Sequence, residues 1–185
     1  MKVTFGLIPT PVQKDKISVY SRSLARGDMN PDQYVAKVGK ILDKEASDAT
    51  IFEQATLDTT LNPTPSLKTL VKEIRKLGIN VSLLSDMYLF EAKITRHLGR
   101  YDGFDYVALS AEKRMTKKEP EYFMETINHF KLEPCEALFV DDRIENTKIA
   151  ESIGIDTIHA DKSIYFNPDD LVAEIRKKIG IKEAL

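Results

Sequence analysis

The chain has 185 residues, enough for one full hydrophobic core with a small insertion. Its 42% hydrophobic and 30% charged content is that of an ordinary globular protein, and 27 Lys plus Arg against 29 Asp plus Glu give no net field that argues for nucleic acid or an acidic membrane surface. Cys135 is the single cysteine, which excludes an intrachain disulfide; no apolar run approaches the roughly 18 residues of a bilayer span, and the start Met1-Lys2-Val3-Thr4-Phe5 has no secretory signal pattern, so a cytoplasmic protein is expected.

In chain order, residues 2–8 are rich in β-formers and predict a first strand, stopped by Pro9 and Pro11 because proline cannot donate to a ladder. Residues 17–25 predict a short helix ending before Gly27. Asn30-Pro31 supplies an N-cap and a first-position proline, after which Tyr34, Val35, Val38, Ile41 and Leu42 follow at helical spacing. A weaker helix is expected over Asp48 to Leu57, and Asn62-Pro63-Thr64-Pro65 reads as a linker. Ser66 is placed as the cap of a helix carrying Leu67, Leu70, Val71, Ile74 and Leu77 on one face, closed by Gly78. A strand over Ile79 to Leu84 ends at Ser85-Asp86, and a helix over Tyr88 to Leu98 is closed by Gly99. Tyr106 to Leu109 is a strand, and Pro120 to Phe130 is a helix with Phe123, Ile127 and Phe130 inward. Residues 137–140 form a strand, Asn146 to Ile153 a helix, Ile155 to His159 a last strand, and Pro168 to Ile179 a last amphipathic helix.

Strands alternating with helices predict right-handed crossovers and a doubly wound, mainly parallel α/β sheet, Rossmann-like and covered on both faces. The stretch 14–62 carries no strand signal. The expected organisation is therefore a core of residues 1–13 and 63–185 with a small helical cap over 14–62.

The strand at 137–140 runs directly into Asp141-Asp142, followed by Arg143-Ile144-Glu145-Asn146. Ligands bind at the carboxyl ends of strands in open α/β sheets. Two acids there repel unless a cation or basic groups neutralise them, and Mg²⁺ is commonly held by one or two carboxylates plus substrate phosphate. A capping box, with Asp142 as N-cap and Glu145 reaching back, explains the same residues without a ligand. Ser85 after the second strand and Lys117 after the third stand at corresponding places. A hydroxyl, an ammonium and a carboxylate-held Mg²⁺ suit a tetrahedral dianion, because phosphoryl transfer depends on positioning and charge neutralisation. Each has a plainer reading: Ser85 as a strand end with Asp86 capping the next helix, and Lys117 and Lys118 as a solvated loop pair. Arg143 is expected to neutralise surplus charge beside the acid pair. His97, His129 and His159 lie at no metal-ligand spacing.

The order of these stretches resembles the haloacid dehalogenase-like superfamily. The likeness rests on Leu83-Leu84-Ser85, on Lys117 with Phe123 following, and on Phe139-Val140-Asp141-Asp142 with Asn146, and it spans roughly residues 18 to 165. Within it, Arg26-Gly27-Asp28-Met29 and the run from Leu109-Ser110 to Lys117 resemble the sugar-phosphate phosphatase branch. The resemblance implies a phosphate site at Ser85 and Lys117 and a Mg²⁺ site at Asp141 and Asp142, with the cap choosing the substrate. The chain departs from the family at its first motif. Aligned on Phe5, Gly6 stands where the nucleophilic aspartate belongs, Ile8 where a second aspartate often sits, and Thr10 is the one polar survivor. Lys118 also replaces the proline that usually follows the family's lysine.

Glycine cannot attack phosphorus or ligate metal, so a phosphoenzyme route would lack its first step. The leading expectation is thus a phosphatase-like pseudoenzyme that keeps the phosphate and Mg²⁺ cradle and binds a phosphorylated metabolite or a partner. The alternatives are an active Mg²⁺-dependent phosphohydrolase, with metal-activated water attacking directly, and a structural or dimerising module. No nucleic-acid or membrane partner is expected.

Overall fold

The computed structural model describes residues 10–42, 65–97, 99–161 and 168–181. The expected strand over 2–8, the weak helix over 48–57, most of the Pro-rich linker and the Gly6 and Ile8 positions lie outside the described residues. The elements in chain order are α1 (Pro11–Ala25), α2 (Pro31–Leu42), α3 (Pro65–Lys76), β1 (Ser82–Ser85), α4 (Leu89–His97), β2 (Tyr106–Leu109), α5 (Ser110–Lys113), α6 (Pro120–Phe130), a 3₁₀ turn (Pro134–Glu136), β3 (Leu138–Asp141), α7 (Ile144–Ser152), β4 (Asp156–His159) and α8 (Pro168–Lys178). The chain groups into two compact units. The first comprises Met1–Leu61, Ser85–Arg100 and Leu109–Thr116; the second comprises Asn62–Leu84, Tyr101–Ala108 and Lys117–Leu185.

In the second unit β3 and β4 pair in parallel, in register from Leu138 opposite Asp156 to Asp141 opposite His159. Neighbouring side chains on a strand point to opposite faces, and β3 shows this in what it packs against. Leu138 and Val140 join Leu70 and Ile74 of α3, Ile158 of β4 and Leu171, Val172 and Ile175 of α8. Ala137 and Phe139 join Phe123 and Ile127 of α6 and Ala150 of α7. Helices therefore cover both faces of this sheet, as the doubly wound α/β reading requires. β1 and β2 are hydrogen-bonded neighbours, and the Asp105 carboxylate ties their entrance by accepting from Val81 N–H (2.9 Å) and Arg75 Nε (2.9 Å).

In the first unit α1 and α2 enclose Leu24, Tyr34, Val35 and Val38, with Ile17, Tyr20, Met29 and Tyr88 packed against them. α1 starts at Pro11, earlier than the expected residue 17. Thr10 and Gln13 form a reciprocal capping box around a first-position proline, so Pro11 opens a helix as well as ending any strand. Asn30 and Gln33 exchange the same pair of bonds at the start of α2.

One expected cap and two alternative cap readings are corrected. Ser66 lies within α3, which begins at Pro65, and its hydroxyl donates to Asp169 Oδ1 instead (2.7 Å). α4 begins at Leu89, and Glu91 accepts from Tyr88 N–H (2.9 Å), so Asp86 is not at its cap. At α7 the N-cap position is Arg143 with no side-chain cap bond, so the Asp142–Glu145 capping box is not formed. Among the described residues no helix is long and apolar enough to cross a membrane.

Candidate functional site

Asp141 closes β3, and its carbonyl accepts from Ala160 N–H (2.9 Å), so the strand pairing fixes its backbone. As an odd-numbered residue it follows Phe139 toward the α6 and α7 side. There it is buried and gripped by three donors. Oδ1 accepts from Arg143 N–H (2.9 Å) and Asn146 Nδ2 (2.8 Å). Oδ2 accepts from Lys117 Nζ at 2.7 Å. The Lys117 and Asp141 side chains are only 15% and 3% exposed. The Lys117 ammonium also lies 5.6 Å from the centre of the Phe139 ring, so one apolar residue of β3 floors the cation that its last residue binds.

Local sequence explains the grip. Aspartate readily accepts from the backbone N–H two residues on, and the extended Arg143 (φ −110°, ψ 115°) presents that N–H just before α7 starts. Asn146, buried in the first turn of α7, returns toward the strand end. Lys117 sits in the loop leading to Pro120, the first residue of α6. It is Lys117 that reaches Asp141; Lys118 is exposed. Asp142 is exposed, and its carbonyl lies 3.3 Å from His159 Nε2. Arg143 serves the buried acid through its backbone, while its guanidinium lies 3.9 Å from Glu145. The expected neutralisation by the Arg143 side chain is thus supplied by Lys117. The donor role of Asn146 is an addition to the sequence reading, which matched the residue but gave it no part; its signal was its place in the first turn after the strand end.

Ser85 closes β1 and falls in the first unit. That unit brings together the two stretches that carried the branch-level resemblance. The buried Ser110 hydroxyl donates to Ala25 O (2.7 Å) and accepts from Met87 N–H (3.0 Å). Gly27 has φ +72°, and a Cβ there would meet Ala111 O at 2.6 Å, so close approach and backbone conformation both call for glycine. Asp28 accepts from Arg26 Nε (3.2 Å) and pairs with Arg114. The Arg114 guanidinium holds the Asp28 carboxyl below the usual carboxylate range against the opposing effect of burial, with Arg26 adding to the lowering.

Comparison with known proteins agrees with this layout. Residues 16–154 match the haloacid dehalogenase-like hydrolase family model. A sesquiterpene phosphatase of Aspergillus oryzae is 26% identical over 141 residues, covering 75% of this chain and 71% of that protein. The mouse protein acyl-CoA dehydrogenase family member 10 is 25% identical over 84% of this chain, which spans only 14% of its length. Among solved structures, a family enzyme from Bacteroides thetaiotaomicron superposes with a TM-score of 0.62 at 26% identity, covering 79% of this chain and 73% of its own. A magnesium complex of that enzyme gives 0.63 at 25% identity over 78% and 76% of the two chains. The parallel strands, the helices on both faces and the family match over most of its length place this chain in the haloacid dehalogenase-like hydrolase family.

Proposed function

We propose that the chain binds a small phosphorylated molecule together with Mg²⁺ at the carboxyl end of β3, and that its covalent turnover is impaired. The observation that carries the binding reading is the buried Asp141 carboxylate, held by Lys117, Asn146 and the Arg143 N–H. An ionised carboxylate has about four acceptor positions, and three donors leave it capacity for one more partner. Asp142 adds an exposed carboxylate next to it. These are hard oxygen donors, the kind Mg²⁺ takes from one or two carboxylates when phosphate and water complete its shell. Asp141 and Asp142 would hold the ion, which would supply charge neutralisation to the phosphate. The Bacteroides relative crystallised with magnesium supports that assignment. Lys117 would share its ammonium between Asp141 and the anion. The phosphate-binding role of Ser85 rests on its motif alone.

Impaired turnover rests on the sequence alignment that puts Gly6 at the nucleophile's place, and the cytoplasm suits a chain with one cysteine. An active phosphohydrolase is the second reading, favoured by the phosphatase activity named in the Aspergillus relative. One assay separates them: Mg²⁺-dependent hydrolysis of a panel of phosphate esters by the native chain and by Asp141→Asn. The proposal expects no turnover from either. Turnover by the native chain that Asp141→Asn abolishes would establish the second reading in its place.

A further inference from the structure

We infer that the open cleft between α1 and α2 is a binding site for a small organic diphosphate. The cleft holds about 510 Å³ and is lined by Lys16, Lys37 and Lys40 with Thr10, Gln13 and Tyr20; among the described residues no carboxylate lines it. Its volume falls within the roughly 300–1,000 Å³ of small-molecule sites. Acids outnumber bases in the whole chain, 29 to 27, so three lysines without an acid are a local concentration. Elsewhere in the same unit Arg26, Arg96 and Arg114 are each paired with a carboxylate. Among the described residues no ion pair engages Lys16, Lys37 or Lys40. Like charges gathered around one cleft repel, and a bound anion relieves that repulsion.

The frame of the cleft is fixed. Gln13 donates through Nε2 to Ile41 O near the end of α2 (2.9 Å) and accepts from Thr10 N–H (2.8 Å), so one side chain ties both helices. Tyr20 packs on the core between the helices, and Lys37 Nζ lies 5.2 Å from its ring centre. Ammonium groups act as point charges toward phosphate. A phosphomonoester carries about two negative charges at neutral pH; a diphosphate carries more and matches three ammonium groups better. The Tyr20 ring, with Val12 and Ile41 at the walls, offers apolar surface to the organic part. Val12 is 64% exposed.

The test is calorimetric titration of metal-free pyrophosphate into the full chain carrying Lys117→Gln, which removes the anion group proposed above. Binding persists there, weakens at least tenfold in Lys37→Gln/Lys40→Gln, and is retained in Lys37→Arg/Lys40→Arg. Metal-free adenosine diphosphate binds at least as tightly as pyrophosphate. If Lys117→Gln lowers the thermal melt, the comparison is made in the otherwise native chain, where Lys37→Gln/Lys40→Gln reduces the pyrophosphate bound per chain by one. Loss of all binding on Lys117→Gln in a folded chain, a change below tenfold on removing the two lysines, an unchanged stoichiometry in the native background, or weaker binding of adenosine diphosphate overturns the inference.

Discussion

Lys117 Nζ stands 2.7 Å from Asp141 Oδ2 with both side chains largely withdrawn from water. Removing one partner of such a pair leaves a buried charge without its counter-ion, which commonly costs about 3–5 kcal/mol. Asp141 keeps two N–H donors, so Lys117→Met is expected to cost near the lower end, about 3 kcal/mol. Urea unfolding of the variant reads this directly; a loss well under about 1 kcal/mol, the usual worth of an exposed pair, would mean that the contact is a surface ion pair.

Asn146 is the second side chain on the same carboxylate. Asn146→Ala leaves Asp141 Oδ1 with one donor and is expected to cost about 1–3 kcal/mol. Asn146→Asp should cost more, because it sets a second acid 2.8 Å from the first. Equal stability of the two variants in thermal melts at neutral pH would contradict the hydrogen-bonding role.

Asp105 gives a pH signature. The Val81 N–H hydrogen bond holds its carboxyl below the ordinary range against the opposing effect of burial, with the Arg75 guanidinium adding to the lowering. A folded-state value below the unfolded one means stability that is present above about pH 4 and lost as pH falls through the folded value. Asp105→Asn should therefore flatten the acid limb of the stability profile, while most of the loss it causes appears at neutral pH. An acid limb as steep as the native one would sink this assignment.

Gly27 and Gly78 share a left-handed backbone and differ in surroundings. At Gly78 (φ +76°) a Cβ meets nothing within 4 Å, so Gly78→Ala should cost only the conformational strain, about 1 kcal/mol. At Gly27 (φ +72°) it meets the Ala111 carbonyl at 2.6 Å. Gly27→Ala should cost clearly more, about 2–4 kcal/mol. Similar melting temperatures for the two variants would show that Ala111 yields freely.

Punctuating residues made much of the fold legible from sequence. Tyr106–Leu109 and Pro120–Phe130 fall where expected, because a β-rich run and a proline at the first helical position mark them locally. α5 carries no legible sequence signal because its four residues are too few to show a period. The α1 start is ambiguous in sequence because a proline serves equally as a strand terminator and as a first helical residue, and only the Thr10–Gln13 box decides between them. At the site, the strand ending in acids was visible, and so was a lysine after the third strand. What sequence did not reveal was the division of labour between the two aspartates. Asp141 ends β3 and turns inward to three donors, while Asp142 lies past the strand at a bend before α7 and stays exposed.

The most direct measurement is calorimetric titration of inorganic phosphate, in the presence of Mg²⁺, into the native chain and into Asp141→Asn. Saturable binding to the native chain that weakens at least tenfold in the variant is predicted. Equal affinity in the two proteins, or no binding to a folded native chain, would contradict the account.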